Sequence, residues 1–259
     1  MNTQIRPDNG ILLIKNKRKT SMSTQQSSTK NIFVFGDSIT KGVVTIPIDG
    51  HESLKYAVNP EGIIRSTFHS GGNVMRNLSR TGSTVKQCLD KINRHLSQIQ
   101  QGDTIVMEFG GNDCNFDWSA VAANPDAEHT PIVPLAQFSE LYSQAVSALL
   151  SVGAKPILLS LPALLPQRFF DYVSRNLNRE NILRWLGGDV CFISNWHEKY
   201  NLEIFKLGSQ LNVPVIDITS VLLERRNLGD YYCPDGMHPN ASGQAIIAEV
   251  VAQSGLLDI

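Results

Sequence analysis

The sequence has no excess of charge of either sign. Its 259 residues include 23 Lys and Arg against 24 Asp and Glu, which gives a net charge of −1. A balanced chain presents no overall field that would attract nucleic acid or an anionic membrane. We therefore predict no nucleic-acid partner, and any binding site has to be identified from local residues.

Cysteine is scarce, and neither cysteine nor histidine shows the spacing of a metal site. The four cysteines are far apart and form no C-x-x-C pair (Cys88, Cys114, Cys191 and Cys233). We interpret them as free thiols of a reducing compartment, with a disulfide as the less favoured alternative. The histidines on helical patterns, His95 and His197, are expected to lie on the surface or to be satisfied structural residues, and we predict no metal.

Long apolar runs are missing as well. The run ILLI at residues 11–14 is too short for the core of a signal peptide, and basic residues follow it instead of a cleavage site. Without a membrane-spanning segment, we predict cytoplasmic localisation and no membrane anchoring. Residues 15–30 are polar and rich in Ser and Thr, so residues 1–30 are predicted to form a flexible extension before a domain at residues 31–259.

The chain does contain regularly alternating strand and helix patterns. Short apolar runs predict strands at residues 32–35, 72–78, 104–109, 155–161 and 213–218. Between them, apolar residues at helical spacing form stripes that start at Val85, Phe138 and Trp196. Continuously apolar strands separated by helices predict a parallel sheet covered on both faces, which is an α/β three-layer sandwich. Ligands of such sheets bind at the carboxyl ends of the strands.

A serine lies at the first of these strand ends. In NIFVFGDSIT, residues 31–40, the apolar strand runs into a Gly-Asp-Ser turn at Ser38. A serine nucleophile needs a base within hydrogen-bonding reach and a third group that orients the base. Asp235 and His238, in the turn-rich stretch CPDGMHP, are able to supply both from one loop. The alternative is that Ser38 only caps the next helix and that His238 is a plain surface histidine.

Two further strand ends carry candidate donors for the oxyanion that forms when a carbonyl is attacked. The stretch GGND offers the side-chain amide of Asn112, and NLSRTGST offers the backbone N–H of Gly82. With the N–H of Ser38, these groups make three donors. As alternatives, Asn112 only braces its loop and Gly82 serves only to reverse the chain. The neighbouring Asp37 and Asp113 are predicted to brace their loops by accepting hydrogen bonds from backbone N–H groups.

Together, the stretches GDSIT, NLSRTGST, GGND and DGMHP resemble the four sequence blocks of the SGNH hydrolases, also called the GDSL esterases and lipases. The blocks occur in the family's order and span residues 36–239, most of the predicted domain. The resemblance implies a flavodoxin-like α/β/α fold that needs no cofactor. It also implies Ser38 as nucleophile, His238 as general base and Asp235 as its orienting partner, with an oxyanion hole formed by Ser38, Gly82 and Asn112.

Two stretches outside these blocks are candidates for the walls of a substrate pocket. Residues 114–134 directly follow GGND and are too long for an ordinary connection, so we predict a lid or pocket wall there. Phe116 and Trp118 are its candidate substrate-binding residues, unless they only pack the loop down. Residues 165–188 carry aromatic and basic side chains, which suit a sugar or a phospholipid headgroup but also ordinary packing.

The favoured function is that of a serine esterase that hydrolyses a small-molecule carboxylic ester through an acyl-enzyme. Because the chain shows neither an export signal nor a large hydrophobic run, an O-acetylated carbohydrate or a short-chain ester is the preferred substrate. A lysophospholipase or thioesterase is the alternative, and an acyltransferase or a ligand-binding member of the same fold also stays open. The sequence leaves the oligomeric state undetermined.

Overall fold

A computed structural model gives the fold, and it describes residues 31–47, 54–60, 62–63 and 74–257. The extension predicted at residues 1–30 lies outside the described residues, as do the first residues of the strand predicted at 72–78. The strands found are β1 (Asn31–Phe35), β2 (Val43–Pro47), β3 (Leu54–Val58), β4 (Val74–Asn77), β5 (Thr104–Met107), β6 (Lys155–Leu159) and β7 (Val215–Ile216).

Five of the strands form one parallel sheet, in the order β4-β1-β5-β6-β7. The strands β2 and β3 pair antiparallel as a separate hairpin, inserted in the chain between β1 and β4. The helices found are α1 (Ser38–Lys41), α2 (Val85–His95), α3 (Trp118–Ala123), α4 (Leu135–Ser151), α5 (Pro166–Ser174), α6 (Arg179–Trp185), α7 (Cys191–Leu211), α8 (Thr219–Leu223) and α9 (Ala241–Gln253). Within the described ranges, none of these helices combines the length and the apolar character that a membrane span requires.

Several strands end earlier than predicted. β5 ends at Met107 and β6 ends at Leu159, and each is followed by a loop at the carboxyl edge of the sheet. The last strand, β7, has only two residues where six were predicted. Pro214 before it has no N–H to donate to a ladder, and Asp217 after it accepts the N–H of Ser220 at 2.9 Å and so begins α8.

Helices cover both faces of the sheet. On one face, Phe33, Phe35 and Met107 pack in a core with apolar residues of α2, α4 and α7. On the other face, Val34 and Val106 pack in a second core with apolar residues of α1, α8 and α9. Successive residues of a strand point to opposite faces, so a strand that is apolar throughout needs both layers. The predicted α/β three-layer sandwich is confirmed.

The order of the strands also locates the candidate site. A parallel sheet of this order reverses its direction of winding beside the first strand, between β1 and β5. The connections at this switch point leave on opposite faces of the sheet and open a crevice at the carboxyl ends of the two strands. Ser38 follows β1 and Asn112 follows β5, so both residues lie at this crevice.

Candidate active site

Ser38 is positioned by a tight turn between β1 and α1. A Cβ atom on Gly36 would lie 1.9 Å from Oγ1 of Thr40, so only glycine fits where the chain turns. Asp37 is the N-cap of α1, because its Oδ1 accepts the N–H of Ile39 at 2.8 Å. The alternative in which Ser38 caps this helix is therefore wrong, and the Ser38 hydroxyl is left for another partner.

Ser38, His238 and Asp235 form one chain of hydrogen bonds. Nε2 of His238 lies 2.9 Å from Oγ of Ser38, and Nδ1 of His238 lies 2.7 Å from Oδ2 of Asp235. All three side chains are buried, so His238 is not the surface histidine of the alternative interpretation. The residues that the sequence suggested as nucleophile, base and orienting acid thus lie within hydrogen-bonding distance of one another.

The charge of Asp235 decides which ring nitrogen of His238 carries the proton. Burial alone would raise the pKa of Asp235, but hydrogen bonds from the His238 ring and from the N–H groups of His238 and Met237 outweigh burial and hold that pKa below its usual value. The ionised carboxylate accepts a hydrogen bond, so Nδ1 of His238 is the protonated nitrogen. Nε2 is then able to accept the hydroxyl proton of Ser38.

The loop that carries Asp235 and His238 is packed against the start of α5. The N–H of Leu165 donates to the carbonyl of Gly236 at 2.9 Å. Gly236 has a φ of 70°, and a Cβ atom there would lie 2.8 Å from both the Leu165 carbonyl oxygen and the Phe169 nitrogen. Only glycine fits this crowded, left-handed position, so the two segments hold each other in place.

Asn112 and Gly82 lie at the ends of the two strands that flank β1. Nδ2 of Asn112 donates to Oδ2 of Asp37 at 2.7 Å and to the carbonyl of Ser83 at 3.1 Å. Asn112 therefore braces these loops, and its amide reaches an oxyanion only if a substrate oxygen replaces one of the two acceptors. Gly82 lies in an exposed turn with a φ of 75°, and within the described residues its N–H has no acceptor.

Three buried carboxyl groups interact in these loops. Asp37 and Glu108 are close enough to influence each other's ionisation, but neither carboxyl oxygen of Glu108 has a hydrogen-bond partner among the described residues. Burial and the nearby charge of Asp37 raise the pKa of Glu108 well above its usual value, and burial also raises the pKa of Asp37. Asp113 accepts the N–H of Val85 at 2.9 Å, and burial raises its pKa to about 7. Asp37 and Asp113 brace their loops as predicted.

A cavity lies next to Ser38, with about 40 Å³ of space that the centre of a water molecule can occupy. Its polar and charged lining residues are Asp37, Ser38, Glu108, Asn112, Asn115 and His197. Most of the remaining wall is apolar, and it includes Ile39, Leu161, Phe169, Phe192, Trp196 and Met237. Ligand pockets commonly have such a mostly apolar wall, with a few polar groups that fix the orientation of the ligand.

Phe116 and Trp118, the predicted substrate-binding residues, both line this cavity and are buried. Their rings also pack against the stretch predicted as a second wall: Phe116 lies 4.8 Å from Trp185 and Trp118 lies 6.1 Å from Phe169, measured between ring centroids. Residues 114–134 and 165–188 therefore build one aromatic wall together. Both interpretations of Phe116 and Trp118, packing the loop and facing the pocket, agree with these contacts.

The basic residues of the second wall are used for packing. Nη1 of Arg168 donates to the carbonyl of Gly229 at 2.8 Å, and the guanidinium of Arg175 lies 4.0 Å from the centre of the Tyr172 ring. Neither arginine lines the cavity next to Ser38. This arrangement gives no direct support for recognition of a phospholipid headgroup by these side chains.

The expectation for His197 is wrong, because it is neither on the surface nor satisfied. It is 6% exposed, and no hydrogen bond joins it to any described residue. The signal for its burial was present in the sequence, since Ile193, His197, Tyr200 and Ile204 share one helical face and all are buried.

Glu108 and Tyr56 are further residues near the site that the sequence did not reveal. Glu108 is the one charged residue in the apolar run TIVMEF, which is a signal in itself. Tyr56 comes from the hairpin, and its ring packs edge-on against His238 with the centroids 5.6 Å apart. Its hydroxyl lies 2.5 Å from that of Tyr172. No sequence block marks the hairpin, so the contact between Tyr56 and His238 had no signal.

Metal ligands are not grouped in this site. Across the described ranges, no three His, Cys, Asp or Glu side chains are arranged to hold a metal ion. The site itself combines a hydrogen-bonded serine, histidine and aspartate with a mostly apolar cavity.

Known proteins share the fold of this chain and part of its sequence. The chain is 24% identical over 238 residues to an uncharacterised esterase, YxiM, of Bacillus subtilis (strain 168), which covers 90% of this chain and 53% of YxiM. The chain thus spans about half the length of this curated relative. Among solved structures, a lipase/acylhydrolase from Enterococcus faecalis matches with a TM-score of 0.59 at 18% identity, covering 88% of this chain and 95% of that one. The psychrotrophic esterase EstA from Pseudoalteromonas sp. matches with a TM-score of 0.52 at 15% identity, covering 87% and 96% of the two chains.

A model of the GDSL-like lipase/acylhydrolase family matches residues 34–246. This range is most of the chain, and it includes Ser38, Gly82, Asn112, Asp235 and His238. The chain therefore belongs to the GDSL-like lipase/acylhydrolase family.

Proposed function

We propose that the protein hydrolyses a carboxylic ester through an acyl-enzyme formed on Ser38. Oγ of Ser38 attacks the ester carbonyl carbon while Nε2 of His238 takes the hydroxyl proton. His238 then gives this proton to the departing alcohol, and a water molecule attacks the acyl-enzyme by the same route to release the acid. The observation that carries this proposal is the chain of hydrogen bonds, 2.9 Å and 2.7 Å long, from Ser38 through His238 to Asp235.

Asp235 and Tyr56 would support the base in different ways. The ionised carboxylate of Asp235 fixes the tautomer of His238 and stabilises the imidazolium that forms during attack. The ring of Tyr56 covers one side of the His238 imidazole, at a centroid distance of 5.6 Å. We assign Tyr56 a positioning role, because its ring contacts His238 while its hydroxyl is engaged with that of Tyr172.

The oxyanion would be held by the backbone N–H groups of Ser38 and Gly82 and by the amide of Asn112. The weaker of the two hydrogen bonds from Asn112 is the one to the Ser83 carbonyl, at 3.1 Å, and a negatively charged oxygen is a better acceptor than a carbonyl. The shorter bond to Asp37, at 2.7 Å, would remain and keep the amide in place. Donors fixed before the reaction stabilise the developing charge without reorganising.

The substrate proposed here is a small ester with one apolar part. Most of the wall of the cavity next to Ser38 is apolar. This composition favours a short-chain or aryl ester over the O-acetylated carbohydrate suggested by the sequence, because sugar hydroxyl groups would find few polar partners there. A longer acyl chain, as in a lysophospholipid or a thioester, is the second candidate, and the same apolar wall favours it.

The test is hydrolysis of p-nitrophenyl acetate, butyrate and octanoate by the full chain and by Ser38→Ala. We expect turnover by the wild type and none above background by the variant. Ser151→Ala serves as the matched control, because this exposed serine at the end of α4 bonds only to the carbonyl of Ala148. Equal rates for Ser38→Ala and the wild type would overturn the assignment of the nucleophile.

The same series tests the substrate proposal. The best rate with acetate or butyrate supports a short acyl group, and the best rate with octanoate supports the second candidate. Repeating the assay with an added alcohol measures acyl transfer: an ester product formed in place of the free acid would assign the protein as a transferase.

A further inference from the structure

The cavity next to Ser38 contains a polar group that the proposed reaction does not use. His197 lines this cavity from α7 and is 6% exposed. Its ring makes no hydrogen bond to any described residue, and its two nitrogens keep some contact with solvent. A buried polar group without a partner destabilises a protein, so an unpartnered imidazole in a cavity wall suggests a partner that arrives with the ligand.

Packing alone does not explain a histidine at this position. Its neighbours on the buried face of α7 are Ile193, Tyr200 and Ile204, and an apolar side chain would fill the same place without leaving polar atoms unpaired. Burial also lowers the pKa of His197 to about 4, so its ring is neutral near pH 7. A neutral imidazole offers one N–H donor and one nitrogen acceptor, which suits a hydroxyl group that both donates and accepts.

The rest of the wall suits a flat ring. Phe116, Trp118, Phe169, Phe192 and Trp196 all line the cavity. Phe116 makes ring contacts with both Trp118 and Trp196, with centroids 5.9 Å and 5.8 Å apart. Aromatic rings prefer edge-on or offset neighbours at these separations, and a wall made of such rings binds another ring in the same way.

We propose that the cavity is a subsite for an aromatic ring that bears a hydroxyl group, and that His197 hydrogen-bonds to this hydroxyl. The inference rests on the proposed function in one respect, because it takes the ester bond to lie at Ser38. It names the substrate class as esters of a hydroxylated aryl group. The aryl group belongs either to the acid or to the alcohol, and the two cases are distinguished by experiment.

The first experiment measures binding and does not depend on catalysis. Titration of the full chain with 4-ethylphenol and with ethylbenzene is followed by tryptophan fluorescence, since Trp118 and Trp196 line the cavity. We expect the phenol to bind about two- to tenfold more tightly, the range of one net hydrogen bond. In His197→Phe this ratio is expected to fall to one or below, whereas Asn195→Ala, an exposed neighbour on the same helix, retains it. An equal ratio in the wild type and His197→Phe would overturn the proposal.

The second experiment uses two pairs of esters that differ by one hydroxyl group. Methyl 3-(4-hydroxyphenyl)propanoate is compared with methyl 3-phenylpropanoate, and 2-(4-hydroxyphenyl)ethyl acetate with 2-phenylethyl acetate. The ratio of kcat/KM within a pair cancels any general change in activity. We expect a preference for the hydroxylated ester in one pair, lost in His197→Phe and at least partly retained in His197→Gln, which keeps a donor and an acceptor. The pair that responds identifies the acid or the alcohol as the aryl group.

Failure of the two proposals is distinguishable. If no ester is hydrolysed but the phenol preference depends on His197, the subsite stands and the esterase proposal falls. If Ser38-dependent hydrolysis is observed and neither the binding ratio nor either kcat/KM ratio responds to His197→Phe, the esterase proposal stands and the subsite is refuted. Circular dichroism of each variant checks that it is folded, and His197→Gln decides the question if His197→Phe is not.

Discussion

Asp113 provides a test of the buried carboxyl groups through the pH dependence of stability. It is fully buried beside Asn112, and Oδ1 accepts the N–H of Val85 at the start of α2, 2.9 Å away. Replacement by Asn retains this acceptor and removes the ionisable group. The pKa of Asp113 is raised by burial to about 7, from an ordinary value of 3.8.

The sign of the effect follows from where the proton is bound more tightly. Between about pH 4 and pH 7 the folded chain keeps the Asp113 proton and the unfolded chain loses it, so the free energy of unfolding decreases as pH rises through this window. A pKa raised by roughly three units corresponds to a total loss of about 4 kcal/mol in the free energy of unfolding. About 3 kcal/mol of this loss falls between pH 5 and pH 8.

Urea unfolding at pH 5 and pH 8 measures this loss in the wild type and in Asp113→Asn. Asp37 and Glu108 also have raised pKa values, so the wild type loses stability for more than one reason. The difference between the two proteins contains the contribution of Asp113 together with its electrostatic interaction with these two groups. We expect Asp113→Asn to lose about 3 kcal/mol less than the wild type over this range. Asp90→Asn, exposed on α2, controls for removal of a carboxylate and should follow the wild type. Parallel losses in Asp113→Asn and the wild type would refute the reasoning.

The remaining predictions concern turnover of p-nitrophenyl acetate. Asp235→Asn should lower kcat by about 10³- to 10⁴-fold, because the amide no longer favours the tautomer of His238 that accepts the serine proton, and a loss below tenfold would contradict this role. Asn112→Ala should lower kcat by about 10²- to 10³-fold with a smaller change in KM, and a change confined to KM would argue against an oxyanion donor. Glu108→Gln should remain within about threefold of the wild type, because the raised pKa of Glu108 favours a neutral carboxyl group and the amide is also neutral and polar, whereas Glu108→Leu removes the polar group beside Asp37 and should lose about tenfold and change the pH profile. Equal rates and profiles for the Gln and Leu variants would show that the polar group of Glu108 does not support Asp37.

The fold and the residues of the candidate site that lie in sequence blocks were predictable, because both depend on local patterns in the sequence. A strand that is apolar at every position, such as Ile32 to Phe35, can only be buried on both faces, and this property already requires three layers. The stretches with Ser38 and Asn112 follow such strands directly. Parallel strands place all their carboxyl ends at one edge, so sequence blocks far apart in the chain converge there.

Other parts of the site depend on contacts between distant segments and had little local signal. Tyr56 reaches His238 from a hairpin whose own sequence follows no motif, and contacts of the hairpin with distant segments, such as the bond from the Thr45 N–H to Sγ of Cys233, bring the rings together. The two hydrogen bonds from Asn112, to Asp37 and to the Ser83 carbonyl, could not be inferred either, because they depend on the relative positions of three loops. The error at His197 was of a different kind, since its helical register predicted burial but not the lack of a partner.

The contact between Gly236 and the start of α5 has a consequence for attempts to alter substrate preference. The helix supplies Phe169 to the cavity wall, and the same segment fixes the backbone between Asp235 and His238. A substitution that reshapes this wall by moving α5 will also displace the base. Laboratory evolution of new selectivity should therefore progress faster through Phe116 or Phe192, which lie outside α5, than through Phe169.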